Sequence, residues 1–218
     1  MYKLFTTFII AIGLLSCTSD NLPYSYLSDP EVEAETIEFK YTALADTLVL
    51  KQTFQAQEMY IVWGDESSPE EFIFRGKKDS IDIIKPITHA FVQTGEYSVK
   101  IRALQLRGIV LDSINKQQIA EVKLAKATNL LRFTCDSQNI TELDFSESPK
   151  IEKLVLLNNL LLDGVALDKI FESLPKAVNT GVENDTQKFI IVLNGNKGDR
   201  DCDRSIAVSK GWTFKDSL

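Results

Sequence analysis

The sequence predicts a mostly β protein with short helices, in which a β-sandwich is followed by a short solenoid of repeats with an α/β cap. Three observations predict this fold class. Residues 36–103 alternate apolar and polar side chains, which is the period of half-buried strands. Residues 109–161 repeat one apolar pattern at a constant interval, and an interval of this length indicates stacked structural repeats. Beyond residue 161, a helical spacing and a short apolar run favour a mixed cap.

Residues 1–16 are predicted to be a signal peptide rather than part of the fold. Lys3 supplies a positive start, and the apolar run from Phe5 to Leu15 is shorter than the roughly 20 residues that span a bilayer. The run ends in Leu14-Leu15-Ser16-Cys17, which resembles the lipobox of bacterial lipoproteins. The resemblance implies cleavage before Cys17, lipidation of Cys17 and acylation of the new amine. Because Thr18 rather than Asp follows, it also implies the outer membrane, facing the periplasm or the cell surface.

Residues 17–35 are predicted to be a flexible tether. The stretch mixes Ser, Asp, Pro and Glu with few apolar side chains, so it cannot bury enough surface to offset the entropy lost on ordering. A tether here would hold the first folded domain away from the lipid surface.

Residues 36–103 carry the strands of a predicted antiparallel β domain, in which Ile37, Phe39 and Tyr41 are typical of the alternation. Three motifs in this region resemble the PKD-type β-sandwich: Trp63-Gly64-Asp65, Thr88-His89-Ala90-Phe91 and Gly95-Glu96-Tyr97-Ser98-Val99. The resemblance implies a tight turn at Gly64 and Asp65. The chain departs from the family pattern at Glu66, where the turn usually has glycine, and at Val62, where many relatives carry Asp.

Residues 104–218 are predicted to form the repeat domain with its C-terminal cap. Aligning Ile109, Leu130 and Ile151 places three turns of one coil in register. The third turn, Ile151-x-x-Leu154-x-Leu156-x-x-Asn159-x-Leu161, resembles the leucine-rich repeat, in which each turn lays down one strand and stacks its apolar residues into a continuous core. Asn159 would bond unpaired backbone groups inside the turn, and Gln138 at the same place one turn earlier predicts an imperfect ladder.

Alternation along the repeat strands predicts which side chains face out. Leu154 and Leu156 point inward, so their neighbours along the strand point outward. The outward sets are Leu111, Ser113 and Asn115; Arg132, Thr134 and Asp136; Lys153, Val155 and Leu157; and, in a final strand, Ile190, Val192 and Asn194. The candidate partner-binding residues are Arg132, Thr134, Asp136, Lys153, Val155, Leu157, Ile190 and Val192.

Four of these candidates would form an apolar docking patch if the final strand pairs with the third coil. They are Val155, Leu157, Ile190 and Val192, and an exposed apolar patch of this kind is typical of an interaction site. Two alternatives stay open. The polar loop from residue 176 to residue 188 covers the patch, or two copies of the chain pair through it as a homodimer.

The end of the chain carries three further motifs. They are the helix Leu167-Asp168-x-Ile170-Phe171-x-x-Leu174-Pro175, the turn Gly195-Asn196-Lys197-Gly198 and the terminal Ile206-Ala207-x-x-Lys210-Gly211-Trp212. Together they resemble the C-terminal caps of bacterial cell-surface leucine-rich-repeat lipoproteins that carry a PKD-like domain in front. With the lipobox, the resemblance covers nearly the whole chain. It implies a cellular location and a structural framework more than an activity.

Few residues offer catalytic or metal chemistry. His89 is the only histidine, and its place in a strand motif already has a structural explanation. One histidine and two cysteines besides Cys17 cannot make an ordinary four-ligand zinc site. Cys135 takes a core place in a repeat strand, and the compartment permits either a disulfide with Cys202 or two free thiols. Asp199, Asp201 and Asp203 alternate as calcium ligands do, but a helix start at Asp203 is the preferred interpretation.

Composition and motifs together favour a non-enzymatic, lipid-anchored protein without cofactor or metal, which binds a macromolecular partner, either a protein or a glycan. A formal net charge of −7 argues against a nucleic-acid partner and against a basic membrane-surface patch. The alternative is a carbohydrate-binding accessory protein in glycan capture. Trp63 and Trp212 would then stack on sugar rings, although each stands in a motif where a buried Trp is expected.

Overall fold

A computed structural model describes residues 26–44, 48–73, 84–111, 118–178 and 188–217. The predicted signal peptide and Cys17 lie outside these residues. The fold is mostly β with two helices. The strands are β1 (Glu35–Ala43), β2 (Leu48–Gln55), β3 (Glu58–Val62), β4 (Glu70–Ile73), β5 (Ile84–Phe91), β6 (Gly95–Leu104), β7 (Gly108–Leu111), β8 (Ile119–Ala125), β9 (Arg132–Asp136), β10 (Lys153–Leu157), β11 (Ile190–Asn194) and β12 (Thr213–Lys215). The helices are α1 (Gly164–Ser173) and α2 (Ser205–Ser209).

The strands form two sheets. The five-stranded sheet has the order β4-β3-β6-β1-β8, and the seven-stranded sheet has the order β12-β11-β10-β9-β7-β2-β5. The first sheet is antiparallel throughout. The second is antiparallel from β5 through β2 to β7 and parallel from β7 to β12. The antiparallel neighbours β5, β2 and β7 are connected through strands of the five-stranded sheet, whereas β9, β10, β11 and β12 follow one another directly in the chain and are parallel. A parallel pair of consecutive strands needs such a return connection between them.

The first and second halves of the chain share both sheets. Strand β7 pairs with β2 in the seven-stranded sheet, and β8 pairs with β1 in the five-stranded sheet. The predicted boundary at residue 103 lies inside β6, and one hydrophobic core runs from Ile37 to Trp212. The sequence predicts that the last sandwich strand leads directly into the first coil. In the structure the two halves are joined more closely than predicted, because the region of the first coil supplies β7 to one sheet and β8 to the other.

The predicted register of the repeats is confirmed for the second and third coils and wrong for the first. Cys135 faces Leu156, as the constant repeat interval requires. Cys135 also faces Leu111 rather than Ile114, because the interval from Gly108 to Arg132 is longer than the one from Arg132 to Lys153. Strand β7 is held at this position by its antiparallel pairing with β2. Leu111 is therefore buried rather than outward, and Ser113 and Asn115 lie outside the described residues.

A second correction concerns the end of the third coil. Leu161 is 48% exposed, whereas its neighbour Leu162 is fully buried. The amide of Leu162 donates to the carbonyl of Asn159 at 3.1 Å, and this tight turn aims Leu162 at the core. Asp163 then caps α1 by accepting from the amide of Ala166 at 3.0 Å.

The last part of the predicted tether packs against the fold. Tyr26–Ser28 forms a single 3-10 turn, and Leu27 is fully buried. The Arg102 guanidinium donates to the carbonyls of Leu27, Asp29 and Val32, which gives three backbone acceptors a partner. The flexible interpretation is therefore wrong for residues 26–35, because one apolar side chain and one distant arginine order them. Among the described residues, neither helix is long and apolar enough to span a bilayer.

Side-chain amides link consecutive turns, as Asn159 predicts. Its Oδ1 accepts from the amide of Gln138 and its Nδ2 donates to the carbonyl of Cys135, both at 3.0 Å. Gln138 extends the ladder rather than interrupting it, because its Oε1 accepts from the amide of Ile119 at 3.0 Å. Asn196 continues the ladder on the other side by donating to the carbonyl of Leu156 at 2.8 Å.

The terminal motif closes α1. Lys210 Nζ donates to the carbonyls of Glu172 and Leu174, and Trp212 Nε1 donates to the carbonyl of Pro175 at 2.9 Å. These bonds satisfy carbonyls at and just beyond the helix end that have no intrahelical partner. Gly211 has φ +88°, and a Cβ there would lie 2.8 Å from Cβ of Ala177. The Lys-Gly-Trp spacing is thus explained by helix capping.

We expect Ser148→Ala to stabilise the protein by about 1 kcal/mol, because a buried hydroxyl without a partner lowers stability by its desolvation cost. Ser148 is fully buried, and its Oγ has no hydrogen-bond partner among the described residues. Ala127 occupies the same turn one coil earlier, where the amide of Leu130 donates to its carbonyl just as that of Ile151 donates to Ser148. Denaturant unfolding measures the change. The exposed Ser146→Ala is the control, and a loss of stability at Ser148 would show that the hydroxyl has a bound water.

Candidate functional site

The candidate site is the outer face of the parallel strands, on the side of the seven-stranded sheet away from the main core. Register places its side chains in three rows across β9, β10, β11 and β12. The first row is Arg132, Lys153, Ile190 and Thr213; the second is Thr134, Val155, Val192 and Lys215; the third is Asp136, Leu157 and Asn194. The predicted pairing of the final strand with the third coil is confirmed, and all eight candidate residues lie on this outer face.

The apolar patch predicted to be exposed is buried. Val155 is 6% exposed, and Ile190 and Val192 are each 3% exposed. These three side chains, with Leu157 packed against them, form a second hydrophobic cluster separate from the main core. Residues 179–187 of the loop that was predicted as an alternative cover lie outside the described residues. The apolar side chains of neighbouring parallel strands pack against one another. They therefore stabilise the sheet and are not an open docking patch.

The accessible part of the outer face is polar and cationic. Arg132 and Lys215 are exposed, Lys153 is half-buried, and Thr134 and Thr213 supply hydroxyl groups beside them. None of the three cations makes an ion pair with a described residue, whereas Asp136 in the third row accepts from Ser137 Oγ at 2.8 Å and Asn158 Nδ2 at 3.0 Å. Thr213 and Lys215 were not among the residues predicted to lie on this face. The alternation in Thr213-Phe214-Lys215 was the signal that could have identified this last strand.

The outer face of the five-stranded sheet carries paired charges. Lys40 Nζ lies 3.3 Å from Glu96 Oε1 and 2.9 Å from Glu121 Oε1. Lys100 Nζ lies 2.6 Å from Glu38 Oε1. The carboxylates raise the pKa of the Lys40 amine above its ordinary value, mainly through the hydrogen bond to Glu121. Lys40 and Lys100 therefore have acidic partners, unlike the three cations on the seven-stranded sheet.

His89 lies between the two sheets rather than in an open site. Its Nε2 is 2.7 Å from Asp65 Oδ2, its Nδ1 is 3.3 Å from Glu70 Oε1, and its ring stacks on Trp63 with centroids 4.3 Å apart. Ser67 Oγ donates to Asp65 and not to the imidazole. Partial burial raises the pKa of Asp65, but the hydrogen bonds from Ser67 and His89 outweigh it and hold that pKa below its ordinary value. Through these contacts, His89 links β5 to the turn after β3.

The remaining candidate groups are engaged or buried. Cys135 and Cys202 are free thiols, and burial raises the pKa of both. Asp199 accepts from the Asn196 amide at 3.1 Å, and Asp203 from the Ser205 amide at 2.9 Å. Within the described ranges, no group of three His, Cys, Asp or Glu side chains is placed to hold a metal ion.

Comparison with known proteins identifies no relative of this chain. No protein-family model matches the chain, and neither the curated proteins nor the solved structures give a match.

Proposed function

We propose that this chain is a lipid-anchored envelope protein that docks a macromolecular partner on the outer face of its seven-stranded sheet. The architecture in this proposal is a PKD-like β-sandwich fused to a short leucine-rich-repeat solenoid. One strand per turn, a ladder of side-chain amides and the buried Trp63 beside the Gly64 turn support it. The anchor would be the lipidated Cys17.

The observation that carries the docking proposal is the set of unpaired cations on the outer face. Arg132, Lys153 and Lys215 have no acidic partner among the described residues. On the opposite face of the molecule, Lys40 and Lys100 are both paired. A surface kept free of internal ion pairs is available to a partner outside the chain.

A non-enzymatic role is supported by the contacts of the only histidine. A histidine acts as a general base through a proton-accepting ring nitrogen within reach of a substrate or nucleophile. Both nitrogens of His89 instead face carboxylate oxygens of Asp65 and Glu70. Glycan capture by aromatic stacking has less support, because Trp63 and Trp212 are only 1% and 2% exposed. A protein partner is therefore the preferred proposal.

Site-directed photo-crosslinking tests this function in the cells that make the protein. A photoreactive phenylalanine replaces Thr134 or Thr213 on the outer face, and the exposed Thr42 on β1 is the control position. We expect the same higher-mass adduct from both outer-face positions and none from Thr42. In parallel, Cys17→Ala should move the protein out of the membrane fraction and abolish the adduct if the partner lies in the envelope.

Two outcomes would contradict the proposal. Adducts from Thr42 alone would place the docking surface on the other sheet. A Cys17→Ala protein that still fractionates with membranes would show that the lipid on Cys17 is not the anchor.

A further inference from the structure

We propose that the outer face of the seven-stranded sheet recognises an acidic polypeptide segment of its partner. The inference rests on the proposed docking function and adds the chemistry of the ligand. It is carried by three cations, Arg132, Lys153 and Lys215, in two adjacent rows that hold no acidic side chain on β9 to β12. Among the described strand residues of this face, the acid Asp136 is one row further along and is bonded to Ser137 and Asn158.

The sign of this surface is opposite to that of the whole chain. The formal net charge is −7, so an acidic partner is repelled by the protein as a whole and attracted by this face. Localised attraction of this kind favours one orientation of approach, because like charges elsewhere penalise the others. Lys40 and Lys100 on the five-stranded sheet offer no comparable attraction, since they already bind Glu96, Glu121 and Glu38.

The spacing of the cations requires a ligand with several separated charges. Arg132 and Lys153 are direct neighbours on adjacent strands, roughly 4.8 Å apart at the backbone. Lys215 lies three strands from Arg132, which is about 14 Å across the sheet at the same strand spacing. No single carboxylate or phosphate spans that distance, so the ligand must distribute its acids along a chain. Arg132 supplies a planar fork that binds carboxylates in a bidentate manner.

A polypeptide fits this surface better than an acidic sugar polymer. Beside the cations, Thr134 on β9 and Thr213 on β12 offer hydroxyl groups, and the half-buried Leu157 lies in the third row. A sugar polymer would gain no aromatic stacking here, because all rows of this face consist of aliphatic and polar side chains. An extended segment of Asp and Glu with small or aliphatic residues matches both the charges and the hydroxyls.

The test measures binding of a fluorescein-labelled oligoglutamate peptide to the full-length chain in non-ionic detergent micelles, by fluorescence anisotropy. We expect binding that weakens as salt is raised, because surface charges are screened. The double variant Arg132→Glu with Lys153→Glu should weaken the affinity about tenfold or more, since attraction becomes repulsion at two neighbouring positions. The matched control is Lys123→Glu with Lys197→Glu, which changes the net charge equally at exposed sites elsewhere and should leave the affinity unchanged.

Three results would overturn the inference: no binding of oligoglutamate, equal weakening in the two double variants, or stronger Arg132-dependent binding to heparin or to anionic phospholipid vesicles than to the peptide. A neutral pair, Arg132→Gln with Lys153→Gln, replaces the charge-reversed pair if the latter melts early, and it should still weaken binding measurably. Partner crosslinking at Thr134 and Thr213 together with failed peptide binding would refute the acidic ligand and leave the docking function standing.

Discussion

A chain consisting of residues 104–218 alone is expected to show no cooperative unfolding transition. Removing the first half leaves β7 without β2 and β8 without β1. It also exposes Ile109, Leu111, Ile119 and Val122, which are at most 3% exposed in the whole protein. Exposing an apolar side chain of this size costs roughly 1.5–3 kcal/mol, and whole domains are stable by only about 5–15 kcal/mol. Four such losses total roughly 6–12 kcal/mol, which is as large as the stability of a whole domain.

Circular dichroism during thermal and denaturant unfolding checks this expectation. The control chain, residues 26–218, keeps every described pairing and should unfold in one transition with equal calorimetric and van't Hoff enthalpies. Two separate transitions in the control, or a native-like melt of the fragment 104–218, would show that the repeats fold independently of the sandwich.

Gly198→Ala is expected to destabilise the protein by about 3 kcal/mol or more, the upper range for overpacking. A Cβ at this position would lie under 3.0 Å from the carbonyl carbon of Asp163 and from the amide nitrogen of Gly164, closer than real Cβ atoms approach. Both atoms are backbone at the start of α1, so no side-chain rotation relieves the overlap. The turn would have to move away from the helix, and the bond from the Gly198 amide to the Leu162 carbonyl would be lost.

Lys197→Ala is the matched control, because its side chain is exposed and belongs to the same turn. It should change the free energy of unfolding by less than about 0.5 kcal/mol, as surface substitutions do. Equal effects at positions 197 and 198 in denaturant unfolding would mean that the turn and the helix do not pack as closely as the structure shows.

Local patterns were sufficient to predict much of the fold. Strict alternation gave the inward and outward residues of β10, and the constant repeat interval gave its register against β9. The position of Asn159 after the strand predicted the amide ladder, and the motif around Trp63 predicted that Trp63 is buried. Each of these features depends on residues near one another in the sequence or at a repeated interval.

Contacts between distant segments account for what the sequence did not predict. The apolar spacing of β8 is compatible with the return arm of a repeat. That spacing does not indicate that β8 pairs with β1. Arg102 orders residues 27–32 from a strand far along the chain, which composition cannot indicate. Val155 was placed on the correct face, but its burial depends on Ile190 and Val192, which come from a later strand. The cationic site was therefore found only in part, since Lys215 lies on a very short strand.

Specific contacts engage both ends of the parallel part of the sheet. These contacts limit where the chain can gain or lose a coil. On one side β7 is held by β2, and on the other side β12 is the last strand, with Trp212 and Lys210 closing the end of α1. A duplicated coil between β9 and β10 is compatible with these contacts, because one strand and one amide of the ladder can be inserted there without disturbing either end. Duplication in that interval would widen the outer face by one strand and separate Arg132 from Lys153, so growth of the fold would directly alter the spacing of its charges.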